Sequence, residues 1–201
     1  KGHSSAMSNL GHCFKKGQGV EQNLAKAVEW YTKAAEKGHS TAMNNLGICF
    51  HNGVGVEQNS TKAVEWYTKA AEKGNSTAMY NLGDCFENGE GVEQNSTKAV
   101  EWYTKAAEKG NSTAMYNLGD CFENGEGVEQ NSTKAVEWYT KAAEKGNSDA
   151  MYQLGHIFEM GEGVEQNLAK AVEWYTKAQD AGDEDAEAQI NDICERLQNN
   201  A

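Results

Sequence analysis

Lys73–Glu108 reads KGNSTAMYNLGDCFENGEGVEQNSTKAVEWYTKAAE, and Lys109–Glu144 repeats it at all 36 positions. Outward from this pair, Trp30, Trp66, Trp102, Trp138 and Trp174 carry the same 36-residue period through the chain. A fixed period of about 20–50 residues marks an array of supersecondary units that cannot bury their apolar faces alone and therefore stack. The chain is read as five units, 1–36, 37–72, 73–108, 109–144 and 145–180, followed by a tail over 181–201.

Each unit reads as two helices. In the third, Ala78, Met79, Leu82, Cys85 and Phe86 recur at three-and-four spacing and make one apolar face, helix A. Gly83 lies inside that face, as do Gly11, Gly47, Gly119 and Gly155 in the other units. A glycine there costs about 1 kcal/mol of helix propensity, so its recurrence implies that a neighbouring helix comes too close for a side chain. Gly89-Glu90-Gly91-Val92 breaks the pattern, with Val92 expected to plug the loop onto the core and Asn95 or Ser96 to cap the next helix. Helix B runs through Ala99, Val100, Trp102, Tyr103, Ala106 and Ala107 to Lys109-Gly110. The alanines allow the pair to pack tightly, and Trp and Tyr are expected to fill the space between units. In the tail, Ala186, Ile190, Ile193, Cys194 and Leu197 keep the helix A spacing among many acidic residues, which reads as a capping helix with one solvated face. Helix A of the first unit presents Met7, Leu10 and Phe14 with no polar cap before it, so fraying or end-to-end self-association is expected there.

With 30 acidic residues against 18 basic ones and a net charge of −12, the chain lacks the cationic excess that binds nucleic acid or anionic membrane. No apolar run approaches the roughly 20 residues that span a bilayer. Cys13, Cys49, Cys85 and Cys121 share one repeat position, which stacking spaces roughly 10 Å apart. A disulfide needs Cα atoms within about 7 Å. Free buried thiols are expected, and with them a cytoplasmic, reducing compartment. The Asn-Ser-Thr sequons at Asn59, Asn75, Asn95, Asn111 and Asn131 point toward the secretory pathway, but the same residues suit helix starts.

Ala78, Leu82, Gly83 and Phe86, then Gly89, Gly91 and Val92, then Lys98 to Ala107, resemble the Sel-one-like repeat, a relative of the tetratricopeptide repeat. The resemblance covers all five units. It implies an all-α fold, a right-handed α-solenoid of helix-turn-helix repeats with helix A on the concave side, and an adaptor or scaffold that holds protein partners. One branch of the family carries two cysteines per repeat joined as a disulfide. Here each unit has one, or none in the fifth, where Ile157 stands in its place.

Most helix A positions are constant from unit to unit. Those that vary are Ser8/Asn44/Tyr80/Tyr116/Tyr152, His12/Ile48/Asp84/Asp120/His156, Lys15/His51/Glu87/Glu123/Glu159 and Lys16/Asn52/Asn88/Asn124/Met160. They fall on one helical stripe away from the core face, and under the resemblance that stripe faces the groove. Tyr80, Tyr116 and Tyr152 form a ladder suited to binding. Beside it Asn9, Asn45, Asn81, Asn117 and Gln153 form an amide ladder that either pairs with a ligand backbone or satisfies neighbouring groups. In peptide-binding relatives asparagine at this place belongs to a carboxylate clamp, whose lysines are missing here beyond the first unit. The candidate groove is therefore Asn44, Asn45, Ile48, Tyr80, Asn81, Asp84, Glu87, Tyr116, Asn117, Asp120, Glu123, Tyr152, His156 and Glu159, with a basic and aromatic peptide as the expected partner.

Catalytic and cofactor signatures fail on inspection. Gly89-Glu90-Gly91 lacks the third glycine and the preceding strand of a phosphate loop. Asp84 to Asn95 places Phe86 and Asn95 where a calcium loop needs oxygen ligands of its own. His12 and His51 can approach each other across adjacent repeats, but two histidines without a carboxylate make a weak metal claim, and the cysteines sit on the apolar face without a base. The reading is a non-catalytic interaction scaffold with no metal and no cofactor. The alternative is a consensus-like or engineered array with no native ligand, since two identical units fit recent duplication and consensus design equally.

Overall fold

The computed structural model describes residues 2–199, and all regular structure among them is helical. It divides into two compact units, 1–109 and 110–201. The first holds α1 (Gly2–Lys16), α2 (Leu24–Glu36), α3 (Ser40–Asn52), α4 (Ser60–Glu72), α5 (Ser76–Asn88) and α6 (Ser96–Glu108). The second holds α7 (Ser112–Asn124), α8 (Ser132–Glu144), α9 (Ser148–Met160), α10 (Leu168–Asp180) and α11 (Ala186–Asn199). In the first, α1 packs on α2, α3 on α4 and α5 on α6, and these hairpins are joined by contacts of α2 with α3 and α4 with α5. The second repeats the scheme with α7 on α8 and α9 on α10, α8 touching α9, and α11 closing on α10. Both units are built in the manner of an α-solenoid.

The five sequon asparagines cap helix starts, as do Asn147 and Asn167, which lie outside sequons. Asn59, Asn95, Asn131 and Asn167 each accept, through Oδ1, the backbone N–H three residues on at 2.9 Å. Asn75, Asn111 and Asn147 do the same for Ala78, Ala114 and Ala150. Each bond satisfies a donor that the first helical turn cannot pair internally. Helix A stops at a left-handed glycine, such as Gly89 with φ of 72°. Gly91 serves a different end, because a Cβ there would collide with the backbone of Ser60 in the preceding helix B.

The core contact of each repeat is a tyrosine ring lying on the helix A glycine. A Cβ at Gly119 would stand 2.5 Å from Tyr139 Cδ1, and one at Gly155 would stand 2.6 Å from Tyr175 Cδ1. Gly11, Gly47 and Gly83 meet Tyr31, Tyr67 and Tyr103 in the same way. All five tyrosines are buried, alongside Ala34, Ala70, Ala106, Ala142 and Ala178. In the last three repeats the phenol is not left unpaired: Tyr103, Tyr139 and Tyr175 donate to Oε2 of Glu87, Glu123 and Glu159 at 2.8, 2.7 and 3.0 Å.

Three expectations change here. Tyrosine seals the hairpin within a repeat rather than filling the space between repeats. Tryptophan is half-buried on helix B, and the lysine three residues later lies over its ring, 4.6 Å from the centroid at Trp30 and 4.0 Å at Trp138. In α11, Ala186 and Ile193 enter the core with Ala171, Tyr175 and Ala178, but Cys194 and Leu197 face solvent. The helix is thus narrower in its apolar face than its spacing implied. Cys49, Cys85 and Cys121 are buried thiols outside any disulfide, as expected, while Cys13 is only half-buried. Burial pushes the Cys85 thiol up to about 12, which keeps it protonated and inert. Met7 and Leu10 are half-buried where Met43 and Leu46 of the second repeat are buried.

Two outcomes follow from the tyrosine–glycine contact. Gly119→Ala gains roughly 1 kcal/mol of helix propensity, yet it should lower stability in urea denaturation by about 1–3 kcal/mol, because the ring of Tyr139 cannot retreat. A variant as stable as the parent would contradict the packing. The second outcome concerns alkali. Burial, then the bond to Glu123, hold the Tyr139 phenol far above its ordinary value, and burial and Glu159 do so at Tyr175. An unfolded tyrosine ionises near 10, so the folded chain retains protons that the unfolded chain has lost. Stability should be full below about pH 10 and fall above it, with a shallower fall in Tyr139→Phe. Equal slopes for parent and variant across pH 9–11 would show that other groups control the decline.

Candidate protein-binding site

In the first unit the variable stripe is only partly open. Asn44 is buried, 5% exposed, and its Oδ1 accepts from Asn81 Nδ2 of the next repeat at 2.9 Å. Asn45 is half-buried beside it. Ile48, His51, Asn81, Asp84 and Tyr67 line a pocket of about 190 Å³. Tyr80 is half-buried with its ring stacked on Tyr103, centroids 5.8 Å apart. Burial, then the neighbouring Glu90, raise the Asp84 carboxyl above its usual range, partly offset by His51 and by Asn88. His51 Nε2 lies 3.4 Å from Glu90 Oε2.

In the second unit Tyr116 rests on Tyr139 and Tyr152 on Tyr175, with centroids 5.6 and 5.2 Å apart. Tyr116 bonds to Gln153 and Tyr152 to Gln189, each 37 residues on. Tyr116 and Tyr152 line a pocket of about 210 Å³ with Asp149, Gln153, Asp183 and Asp185. Asp183 also caps α11, accepting from the N–H of Asp185 at 3.0 Å and of Ala186 at 3.1 Å. Burial raises the Asp120 carboxyl, and the nearby Glu126 raises it further. Asn117 is half-buried and His156 exposed.

The stripe therefore divides. Asn44 and Glu159 are buried and committed, Asn44 to Asn81 and Glu159 to Tyr175 and Arg196, whose Nη2 donates to Glu159 Oε1 at 2.5 Å. Glu87 and Glu123 sit half-buried, each tied to a core phenol, so they are not freely steering carboxylates. Nor are the tyrosines detached from the core, because their rings lean on buried ones. Asp84, Asp120, Tyr116, Tyr152 and His156 remain presented. Sequence comparison alone missed Asp149, Gln189 and Arg196 as partners of this face. The 37-residue offset between paired positions is the signal that would have found them, together with Asp149 replacing the threonine of the second, third and fourth repeats.

Among the described residues no group of three or more His, Cys, Asp or Glu is placed to hold a metal ion. No helix among the described residues is long and apolar enough to cross a membrane.

The chain matches the Sel1 repeat five times, over residues 4–39, 40–75, 76–111, 112–147 and 148–183. No curated protein matches it. Among solved structures, it is 34% identical to a protective antigen of uropathogenic Escherichia coli displaying an SLR fold, with a TM-score of 0.91 over 98% of this chain and 42% of that one. It therefore spans less than half of that protein. A Sel1 repeat protein of Oxalobacter formigenes is also 34% identical, with a TM-score of 0.87 over 94% of this chain and 76% of that one. An immunity protein of Pseudomonas aeruginosa is 26% identical, with a TM-score of 0.64 over 92% and 69%. With its five matched repeats and these neighbours, the chain belongs to the Sel1 repeat family.

Proposed function

We propose that the chain is a non-catalytic scaffold that binds an extended peptide carrying basic and aromatic residues on its helix A face. Sel1 repeat proteins are generally protein-interaction scaffolds. The observation that carries the finer reading is the pocket in which Tyr116 and Tyr152 stand among Asp149, Asp183 and Asp185. Two phenols supply broad, rigid contact with few rotors, and three carboxylates around them favour a cation. Asp120, in the same unit, adds to this: it stays on the face although burial and the neighbouring Glu126 disfavour its charge. Carboxylates held against local repulsion favour a site, since a cationic partner relieves the repulsion. The bare-array reading retains one support, the identity of residues 73–108 and 109–144 even at the variable positions.

A random peptide library screened against the parent should return basic and aromatic sequences whose binding weakens as salt rises. Asp149→Asn combined with Asp185→Asn should weaken those peptides about tenfold or more with circular dichroism unchanged. These positions are preferable to the tyrosines, whose removal would also disturb the rings beneath them. Peptides that bind both proteins equally would displace the site from this face, and a library that returns nothing would favour the bare array.

A further inference from the structure

In three places a residue at the end of helix A meets or shares a pocket with a later residue, Arg196 lying 37 positions after Glu159, and Glu90 and Glu162 lying 39 positions after His51 and Glu123. At the C-terminal end, Glu159 accepts from Tyr175 through Oε2 and from Arg196 through Oε1. In the first unit, the position of Glu159 is taken by His51, which stands 3.4 Å from Glu90 of the following loop. Seventy-two residues after these, the equivalents of His51 and Glu90 are Glu123 and Glu162, so both partners are carboxylates. They line one pocket of about 420 Å³, floored by Ala135 and Ile157 and flanked by Asn124 and Gln130.

Glu123 has the same first bond as Glu159, its Oε2 accepting from the Tyr139 phenol at 2.7 Å. What differs is the residue 37 positions on. After Glu159 that residue is Arg196, and after Glu123 it is Met160, which has no donor and is 56% exposed. The chain thus contains one such glutamate with an arginine 37 residues on and another with a methionine there. We infer that the pocket between Glu123 and Glu162 receives an arginine side chain from a protein partner, seated on Glu123 as Arg196 is seated on Glu159. The inference rests on the scaffold reading and names the chemistry of one contact within it. A guanidinium fits better than an ammonium, because its planar fork offers donors to two carboxylates at once, while Ala135 and Ile157 accept its methylenes. A metal ion is disfavoured, since no three-ligand group is present among the described residues.

The probe is N-acetyl-Gly-Arg-Gly-amide, with the citrulline and lysine peptides as controls, titrated into isotopically labelled full chain and followed by NMR. The arginine peptide should shift the resonances of Glu123, Ile157 and Glu162, citrulline should not, and lysine should bind more weakly. Glu162→Gln should weaken the arginine peptide about tenfold. Met160→Arg supplies the missing side chain from within, so it should raise the melting temperature by roughly 2–4 °C and abolish the arginine shifts. Equal shifts from arginine and citrulline, or a Met160→Arg protein with unchanged melting and unchanged binding, would overturn the inference. If the arginine response is absent while library peptides still bind at Tyr116 and Tyr152, this inference fails alone. If both are absent, the scaffold reading fails with it.

Discussion

The contact between a helix A glycine and a buried helix B tyrosine sets the rest of the structure. It fixes how closely the two helices approach, because any Cβ at Gly119 would enter the ring of Tyr139. It also dictates where a large polar side chain must be buried. A phenol in an apolar seam needs an acceptor, and in three repeats a glutamate at the end of helix A supplies it. Burying each ring fully also requires small neighbours, which is why alanine lines helix B at Ala99, Ala106 and Ala107. The tight seam and the placement of Glu87, Glu123 and Glu159 are therefore one arrangement.

The fold was legible in the sequence because repetition multiplies weak local signals. One glycine in an apolar face is ambiguous; five at the same phase require a close approach, and the structure places a ring there. The Asn caps and the left-handed glycines were readable for the same reason. The functional face was less legible. The stripe of variable positions implied free exposure, yet Asn44 and Glu159 are buried. Their burial depends on partners 37 residues away, Asn81 and Arg196, and a pattern confined to one helix carries no information about those. The tail misled in a similar way, since Cys194 and Leu197 keep helical phase with the core but lie beyond the width that α10 covers.

Variation among the repeats has a double meaning. Where Glu replaces Lys15 and His51, it completes a bond to the buried phenol, a structural change. Where Asp occupies the position of His12 and Ile48, its carboxyl is disfavoured by burial and by a neighbouring acid, and it accepts from Asn88 or Asn124 in the same helix. At Glu159 the array closes such a carboxylate with its own cation, Arg196, whereas 37 residues after Glu123 it carries Met160. Single substitutions thus change the charge of this stripe while the glycine–tyrosine seam stays unchanged.

The most direct measurement is a double-mutant cycle on Tyr139→Phe and Glu123→Gln, read by equilibrium denaturation at neutral pH. If the carboxylate belongs to the seam, the two losses should couple by about 1 kcal/mol or more, as expected for a hydrogen bond to a charged group. Losses that add within a few tenths of a kcal/mol would mean that Glu123 is an independent surface carboxylate and that the seam does not position the face.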